Sequence, residues 1–273
     1  MPDQLSDKVA VITGASMGIG EALARLFVQE GASVVLTSRD AARVEAARAR
    51  INRPEKTLAL ACDVRNREEL DRVLSLTLHN FGRVDIWVNN AGHGMTDSVE
   101  AMDMAACRSL FDTNFFGAID GMQVATPAMK RQGGGAIINI SSVAGHIPLP
   151  YSAPYCASKF ALNAIGKAAR LELQGTGVNV LTVCPGYIAT DFHKNKIAGR
   201  NGHRLEPATA RGASADVVAR DTLRAYLRGK HEVFTPWYYV FVAKLYGLFP
   251  GLIDWGISRR LRQKGLIQSQ TQR

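Results

Sequence analysis

Runs of consecutive apolar residues alternate with amphipathic stretches over the first two thirds of the chain. Residues 8–13 are an apolar run that ends in a glycine-rich turn, the pattern of a strand buried on both faces. Residues 21–30 place Leu23, Leu26 and Phe27 at helical spacing, and Gly31 closes the segment. The pairing then recurs, with strands predicted at 33–37, 57–61, 84–88, 135–140 and 178–183. Helices are predicted at 41–51, 66–81, 155–174 and, for the most part, 104–132. Such alternation implies an α/β, doubly wound, mainly parallel sheet with helices on both faces. No linker or repeat divides it, so a single domain is expected. Two stretches break the rhythm: residues 191–212, polar and without period, and residues 236–273, apolar first and basic at the end.

Composition narrows the class. A chain of 273 residues, 47% hydrophobic and 21% charged, is ordinary for a globular protein with a sizeable core. Cys62, Cys107, Cys156 and Cys184 are widely spaced with no CxxC pair, so neither a metal site nor a disulfide framework is read, and a reducing compartment suits them. Residues 1–8 carry Asp3 and Asp7 and no apolar run; no secretory signal is read there, and a cytoplasmic location is expected. The glycosylation pattern Asn139-Ile140-Ser141 falls inside a strand-like run and is read as accidental. A net charge of +9 suits nucleic acid, anionic lipid or a polyanionic cofactor. The aromatics do not interleave with the basic residues, which argues against nucleic acid.

The polyanion is sought where the first strand meets the first helix. Thr13-Gly14-Ala15-Ser16-Met17-Gly18-Ile19-Gly20 lies at that junction. Glycines permit close backbone approach, and a helix N-terminus offers free N–H groups to a phosphate. The spacing is G-x-x-x-G-x-G, unlike the common G-x-G-x-x-G fingerprint. Ser38 and Arg39 close the second strand about twenty residues later, where an acidic side chain would hold the ribose of NAD and a guanidinium the 2′-phosphate of NADP. Asp40 falls too late for ribose and is expected to begin the next helix.

Tyr155 and Lys159, four apart on a predicted helix, project from one face. A phenol is a poor base at neutral pH, but a neighbouring ammonium favours its phenolate, so the pair is expected to bring it toward the range useful for acid–base catalysis. Ser142, closing the fifth strand, is placed to hydrogen-bond a substrate oxygen.

With these residues together the chain resembles the short-chain dehydrogenase/reductase family, of the common single-domain, Rossmann-like type, from about residue 8 to 236. The shared motifs are T-G-x-x-x-G-x-G at Thr13 to Gly20, N-N-A-G at Asn89 to Gly92, Y-x-x-x-K at Tyr155 to Lys159, and P-G…T from Pro185-Gly186 to Thr190. In that family the catalytic serine stands thirteen residues before the tyrosine, which selects Ser142 over Ser141. The resemblance implies that Asn114 is a fourth catalytic residue, holding a proton-relay water near Lys159. Asp63 and Val64 would contact adenine, while Asn90 and Gly92, flanking Ala91, would lie on the ribose side. Ile188 and Thr190 would approach the carboxamide, and Lys159 would also bind the nicotinamide ribose. Met17 stands where many NADP-preferring relatives carry a basic residue, leaving Arg39 as the main determinant for NADP(H) over NAD(H). The family also implies a homodimer or homotetramer.

The implied reaction interconverts a ketone or aldehyde and an alcohol, within a catalytic domain at 1–235. The 191–212 segment, with Phe192, His193, Lys194, Lys196, Arg200, His203 and Arg204, is read as a solvated substrate lid. The tail allows two readings: a helix in the membrane interface over about 237–264, at the inner face, or a dimer contact or lid over a lipophilic pocket. Both favour a bulky apolar substrate. A non-catalytic NADP(H)-binding regulator or a membrane-surface scaffold is the alternative, and the intact Y-x-x-x-K motif argues against each.

Overall fold

The computed structural model describes residues 3–190, 192, 197–198 and 212–263. Strand β1 (Val9–Ile12) leads into α1 (Gly18–Gln29), β2 (Ser33–Ser38) into α2 (Ala41–Ile51), and β3 (Thr57–Ala61) into α3 (Arg67–Phe81). After β4 (Ile86–Asn89) and the two-residue β5 (Met95–Thr96), α4 (Met104–Phe111) runs through a single π-helical stretch, Asp112–Phe116, into α5 (Gly117–Arg131). Next come β6 (Gly135–Ile140), α6 (Ala153–Glu172), β7 (Val178–Pro185), the short β8 (Ile197–Ala198), α7 (Ala215–Leu227) and β9 (Glu232–Thr235). Two helices, α8 (Tyr239–Leu248) and α9 (Pro250–Gln263), end the described chain.

The main sheet has seven parallel strands in the order β3-β2-β1-β4-β6-β7-β9. Successive side chains of each strand enter opposite cores, because a strand repeats every two residues. Ala10, Ile12, Ile86, Val88 and Ile138 join one core with Leu23 and Phe27 of α1 and Val218 and Leu223 of α7. Val11, Trp87 and Ile137 join the other with Leu70 of α3 and Met129 of α5. Covering on both faces is what turns the strands into unbroken apolar runs.

Helix starts are set by capping side chains. Asp40 accepts from Arg43 N at 3.0 Å to start α2, and Asn66 accepts from Glu68 N at 3.0 Å to start α3, each worth about 1 kcal/mol. Three differences from the sequence reading stand out. The largely helical stretch expected over 104–132 is present as α4 and α5 but passes through a π turn that the sequence pattern does not mark; α7 and β9 follow the last predicted elements; and the tail is two helices bent by 110°. The predicted strands are otherwise present, and the order of the sheet reverses between β1 and β4, where α/β sheets open a crevice at their carboxyl ends.

Candidate active site

A cleft of about 860 Å³ opens at that crevice. Its nucleotide end begins at the turn after β1. Gly14 adopts φ +63°, and a Cβ added there would stand 2.8 Å from Ala91 Cα, so glycine is needed both for the turn and for the backbone approach of the β4 loop. Asn90 fastens the two loops, donating from Nδ2 to Thr13 O at 2.8 Å and Gly14 O at 2.9 Å. The Thr13 hydroxyl in turn accepts from the N–H groups of Asn90 and Ala91 at 3.0 and 3.1 Å.

Ser16, Gly18, Ile19, Ser38, Arg39, Val64 and Gly92 line this end with Gly14, Asn90 and Ala91. Arg39 is exposed and enters no hydrogen bond or salt bridge among the described residues. Arg43, absent from the sequence reading, lines the same end one turn along α2 and pairs with Asp40 at 3.3 Å. A second basic residue in the first turn of the helix that Asp40 caps was the available signal.

Two cofactor candidates lie off the cleft wall. Gly20 is buried under the loop, where a Cβ would meet Asn90 Nδ2 at 2.5 Å, so this glycine serves packing. The Asp63 carboxylate is held by Arg65 and sits in an adjoining groove with Asn66 and Glu69; Arg65 keeps its pKa below the usual carboxylate value.

At the other end, Tyr155 and Lys159 stand one turn apart on α6 and line the cleft with Ser142. Lys159 is only 5% exposed, and Nζ donates to Ile140 O at 2.9 Å. The Ser142 hydroxyl donates to Pro185 O at 3.3 Å and accepts from Ala144 N at 3.0 Å, whereas the Ser141 hydroxyl turns to Lys159 O at 3.5 Å. The loop after Ser142 is clamped to α6 by Asn163, which donates to Gly145 O at 2.9 Å.

Asn114 does not line the cleft but lies directly behind it, in the π turn. Its Oδ1 accepts from His93 N at 3.0 Å, and its Nδ2 donates to His93 O at 3.0 Å and Ser158 Oγ at 3.2 Å. Ser158 Oγ donates to Tyr155 O at 2.8 Å, so Asn114 reaches the tyrosine's turn of α6 through one hydroxyl. A π turn re-aims the side chains around it, which is why such turns collect at functional sites.

The expected lowering of the phenol is not what this environment produces. Burial pushes the Tyr155 pKa up to about 12, with its hydrogen bond to Ser142 pulling the other way. Burial likewise pulls Lys159 down to about 8. The ammonium is 5.9 Å from the tyrosine ring centroid and is spent on the Ile140 carbonyl, so desolvation outweighs charge attraction. Tyr155 is therefore a protonated acid across the neutral range.

The remaining wall is mainly apolar. Pro185, Gly186, Ile188 and Thr190 line the strand side, the Phe192 ring lies tilted against Tyr155 with centroids 5.6 Å apart, and Ile147 and Leu149 line the cleft together with Val242, Ile253 and Ile257 of the tail. A Cβ on Gly186 would stand 2.0 Å from the Tyr239 ring, so glycine lets α8 close onto the cleft. Of the lid reading, Phe192 alone is placed; His193, Lys194, Lys196, Arg200, His203 and Arg204 lie outside the described residues. Behind the Ser142 loop, His146, Cys184 and Glu232 bring ligand atoms within 4.8 Å of one another. His146 and Lys167 flank the Glu232 carboxylate at 3.4 and 3.6 Å and hold its pKa down, His146 chiefly, so the countercharge a cation would bring is already there.

A doubly wound sheet with a glycine turn after β1 and a buried Tyr–Lys pair on α6 places the chain among the oxidoreductases built on this fold. Residues 8–201 match the short chain dehydrogenase family. The chain is 35% identical over 199 residues to an uncharacterized oxidoreductase of Staphylococcus epidermidis, covering 71% of this chain and 86% of that one. It is 32% identical over 238 residues to dehydrogenase/reductase SDR family member 7B of Danio rerio, covering 84% and 77%. Among solved structures, a short-chain dehydrogenase from Streptomyces avermitilis superposes with TM-score 0.77 at 26% identity, covering 93% of this chain and 98% of that one. A short-chain dehydrogenase/reductase from Burkholderia phymatum, solved in complex with NAD, gives 0.79 at 24% over 92% and 96%, a likeness of fold. The chain belongs to the short-chain dehydrogenase/reductase family and is an oxidoreductase.

Proposed function

We propose that the protein is an NADP(H)-dependent reductase or dehydrogenase interconverting an apolar ketone or aldehyde and its alcohol. One observation carries the reading: Ser142, Tyr155 and Lys159 share a single cleft with the glycine turn, Arg39 and Arg43. The residues fit a phosphorylated dinucleotide. The β1 turn leaves no Cβ over Gly14 or Gly18, both at positive φ, and the N-terminus of α1 faces the same space. Arg39 and Arg43 stand at the β2 end, where a 2′-phosphate would be met by two guanidinium groups. When bound, the nicotinamide supplies or accepts a hydride at the substrate carbon.

The chain's own residues do the rest. Tyr155, protonated at neutral pH, donates its proton to the carbonyl oxygen during reduction, while Ser142 steadies that oxygen. Lys159, with a pKa of about 8, can take up and release a proton at neutral pH, and replenishes Tyr155. Asn114 fixes the α6 turn between them through Ser158. Oxidation of the alcohol runs through the same groups in reverse. Ile147, Leu149 and Phe192, with the tail helices, exclude water and select an apolar substituent.

A panel of ketones and aldehydes of increasing chain length, assayed by oxidation of NADPH and of NADH, tests the reading. Consumption of NADPH by long-chain carbonyls ahead of short ones and ahead of NADH is expected. No turnover with either cofactor across the panel overturns it.

A further inference from the structure

The helical pair α8–α9 has two faces with different tasks. Tyr239, Val242, Ile253 and Ile257 line the catalytic cleft. The other face is a row of apolar side chains open to solvent, at the three- and four-residue spacing of one helix side. On α8 and its entry the row is Tyr238, Phe241, Leu245 and Leu248; Phe241 is 61% and Leu248 73% exposed. On α9 it starts with Leu252 and Trp255, the latter 57% exposed, and continues as Arg259 and Arg262. The Arg259 guanidinium lies over the Trp255 ring at 5.6 Å. Trp237, at 68%, and Phe249, at 59%, extend the patch, and no residue of either helix is buried. So many large apolar side chains exposed on two consecutive helices of a folded protein mark a contact.

We propose that α8–α9 docks the enzyme on an anionic lipid surface and admits its apolar substrate from that surface into the cleft. This rests on the carbonyl-reductase reading above and adds where the substrate comes from. Three features select a lipid surface over a second copy of the chain. Tryptophan and tyrosine beside arginine is the composition that settles at the headgroup boundary. Arg259, Arg260 and Arg262 supply the charge that anionic headgroups attract, whereas a two-fold pairing of this face would bring two copies of the same basic cluster into one interface. Among the described residues the helices, of 10 and 14 residues, reach about 15 and 21 Å, each short of the ~30 Å hydrocarbon core, and their 110° bend suits a pair lying along a surface better than a straight span. A substrate dissolved among the acyl chains would meet the inner faces of the same helices on its way to Tyr155.

The test is flotation of the full-length protein with vesicles of phosphatidylcholine alone or mixed with phosphatidylglycerol. The wild type is expected to float with the mixed vesicles, less so as salt rises. Phe241→Ser with Trp255→Ser, and separately Arg259→Glu with Arg260→Glu, should each weaken partitioning about tenfold or more. Turnover of a short water-soluble ketone should stay unchanged in both, because none of the four side chains lines the cleft. Turnover of a long-chain ketone presented in mixed vesicles should fall with partitioning. Failure of the wild type to float overturns the proposal, as does equal binding to both vesicle types. So does a vesicle-free dimer, seen by analytical ultracentrifugation, that Phe241→Ser with Trp255→Ser dissociates. Flotation does not depend on turnover, so a protein that floats but reduces no carbonyl refutes the catalytic reading alone.

Discussion

The two walls of the cleft are built on opposite principles. On the α6 wall Lys159 and Ser142, and directly behind it Ser158 and Asn114, are buried and tied to backbone carbonyls or to one another. On the α8–α9 wall no described residue is buried, and one link to the body is Tyr239, whose ring lies on Gly186 and whose hydroxyl accepts from Tyr187 N at 3.4 Å. Proton transfer needs groups fixed to within a fraction of an ångström, and burial supplies that at the cost of desolvating a lysine. On the proposed reading, admission of a bulky apolar molecule would need a wall that can give way, and a wall with no buried residue is the cheaper one to displace. The contrast teaches that the two halves of the site can be broken separately.

The largest break should come on the buried wall. Tyr155→Phe removes the acid and leaves the ring, so kcat should fall by about 10²–10⁴ while NADPH affinity, read by fluorescence titration, changes little. Near-normal turnover would remove Tyr155 from the chemistry.

Lys159→Met sharpens the same contrast through stability. The folded pKa of about 8 lies below the ordinary 10.5, so between those values the unfolded chain holds more protons and stability rises with pH. Below pH 8 the charged, buried lysine exacts its full cost, at most about 3 kcal/mol by the size of that shift. Loss of the bond to Ile140 O gives back about 1 kcal/mol. The variant should therefore be inactive and melt higher than the wild type at pH 6–7, an advantage that shrinks toward pH 10.5. A lower melting temperature at pH 6 would show that the lysine holds the fold together.

At the nucleotide end, Arg39→Ala should raise KM for NADPH about tenfold and leave that for NADH within about twofold. Arg43→Ala should act in the same direction and less strongly, because Asp40 already shares its charge. Equal effects on both cofactors would place the guanidinium groups elsewhere than on the 2′-phosphate.

The buried wall was legible in the sequence and the exposed one only in part, for a physical reason. Strands buried on both faces write themselves as apolar runs, and Tyr155 and Lys159 reveal a shared face by a four-residue step. The strands predicted at 57–61 and 135–140 match β3 and β6 residue for residue. The π turn at Asn114 leaves no period to read, since 112–116 is helical on either side. The environment of Tyr155 was misjudged because attraction to a neighbouring charge can be inferred from spacing, whereas desolvation depends on everything packed around it. The tail showed its composition but not its 110° bend or the contact of Tyr239 with Gly186, which joins residues 53 apart in the chain.

That contact carries the smallest and most selective effect. A methyl group on Gly186 would overlap the Tyr239 ring, standing 2.0 Å from its Cε2, so Gly186→Ala must push α8 outward. Tyr239→Ala loosens the same joint without adding bulk near Pro185. If the tail selects substrate, both variants should lower kcat/KM for a long-chain ketone by about three- to tenfold, roughly the worth of one apolar contact, and spare a short one. The double variant separates joint from bulk. With the ring gone the added methyl has nothing to strike, so Gly186→Ala should cost little more in the Tyr239→Ala background. Equal losses for long and short ketones in Tyr239→Ala would mean that the ring supports the catalytic wall itself, and the division between the two walls would fall.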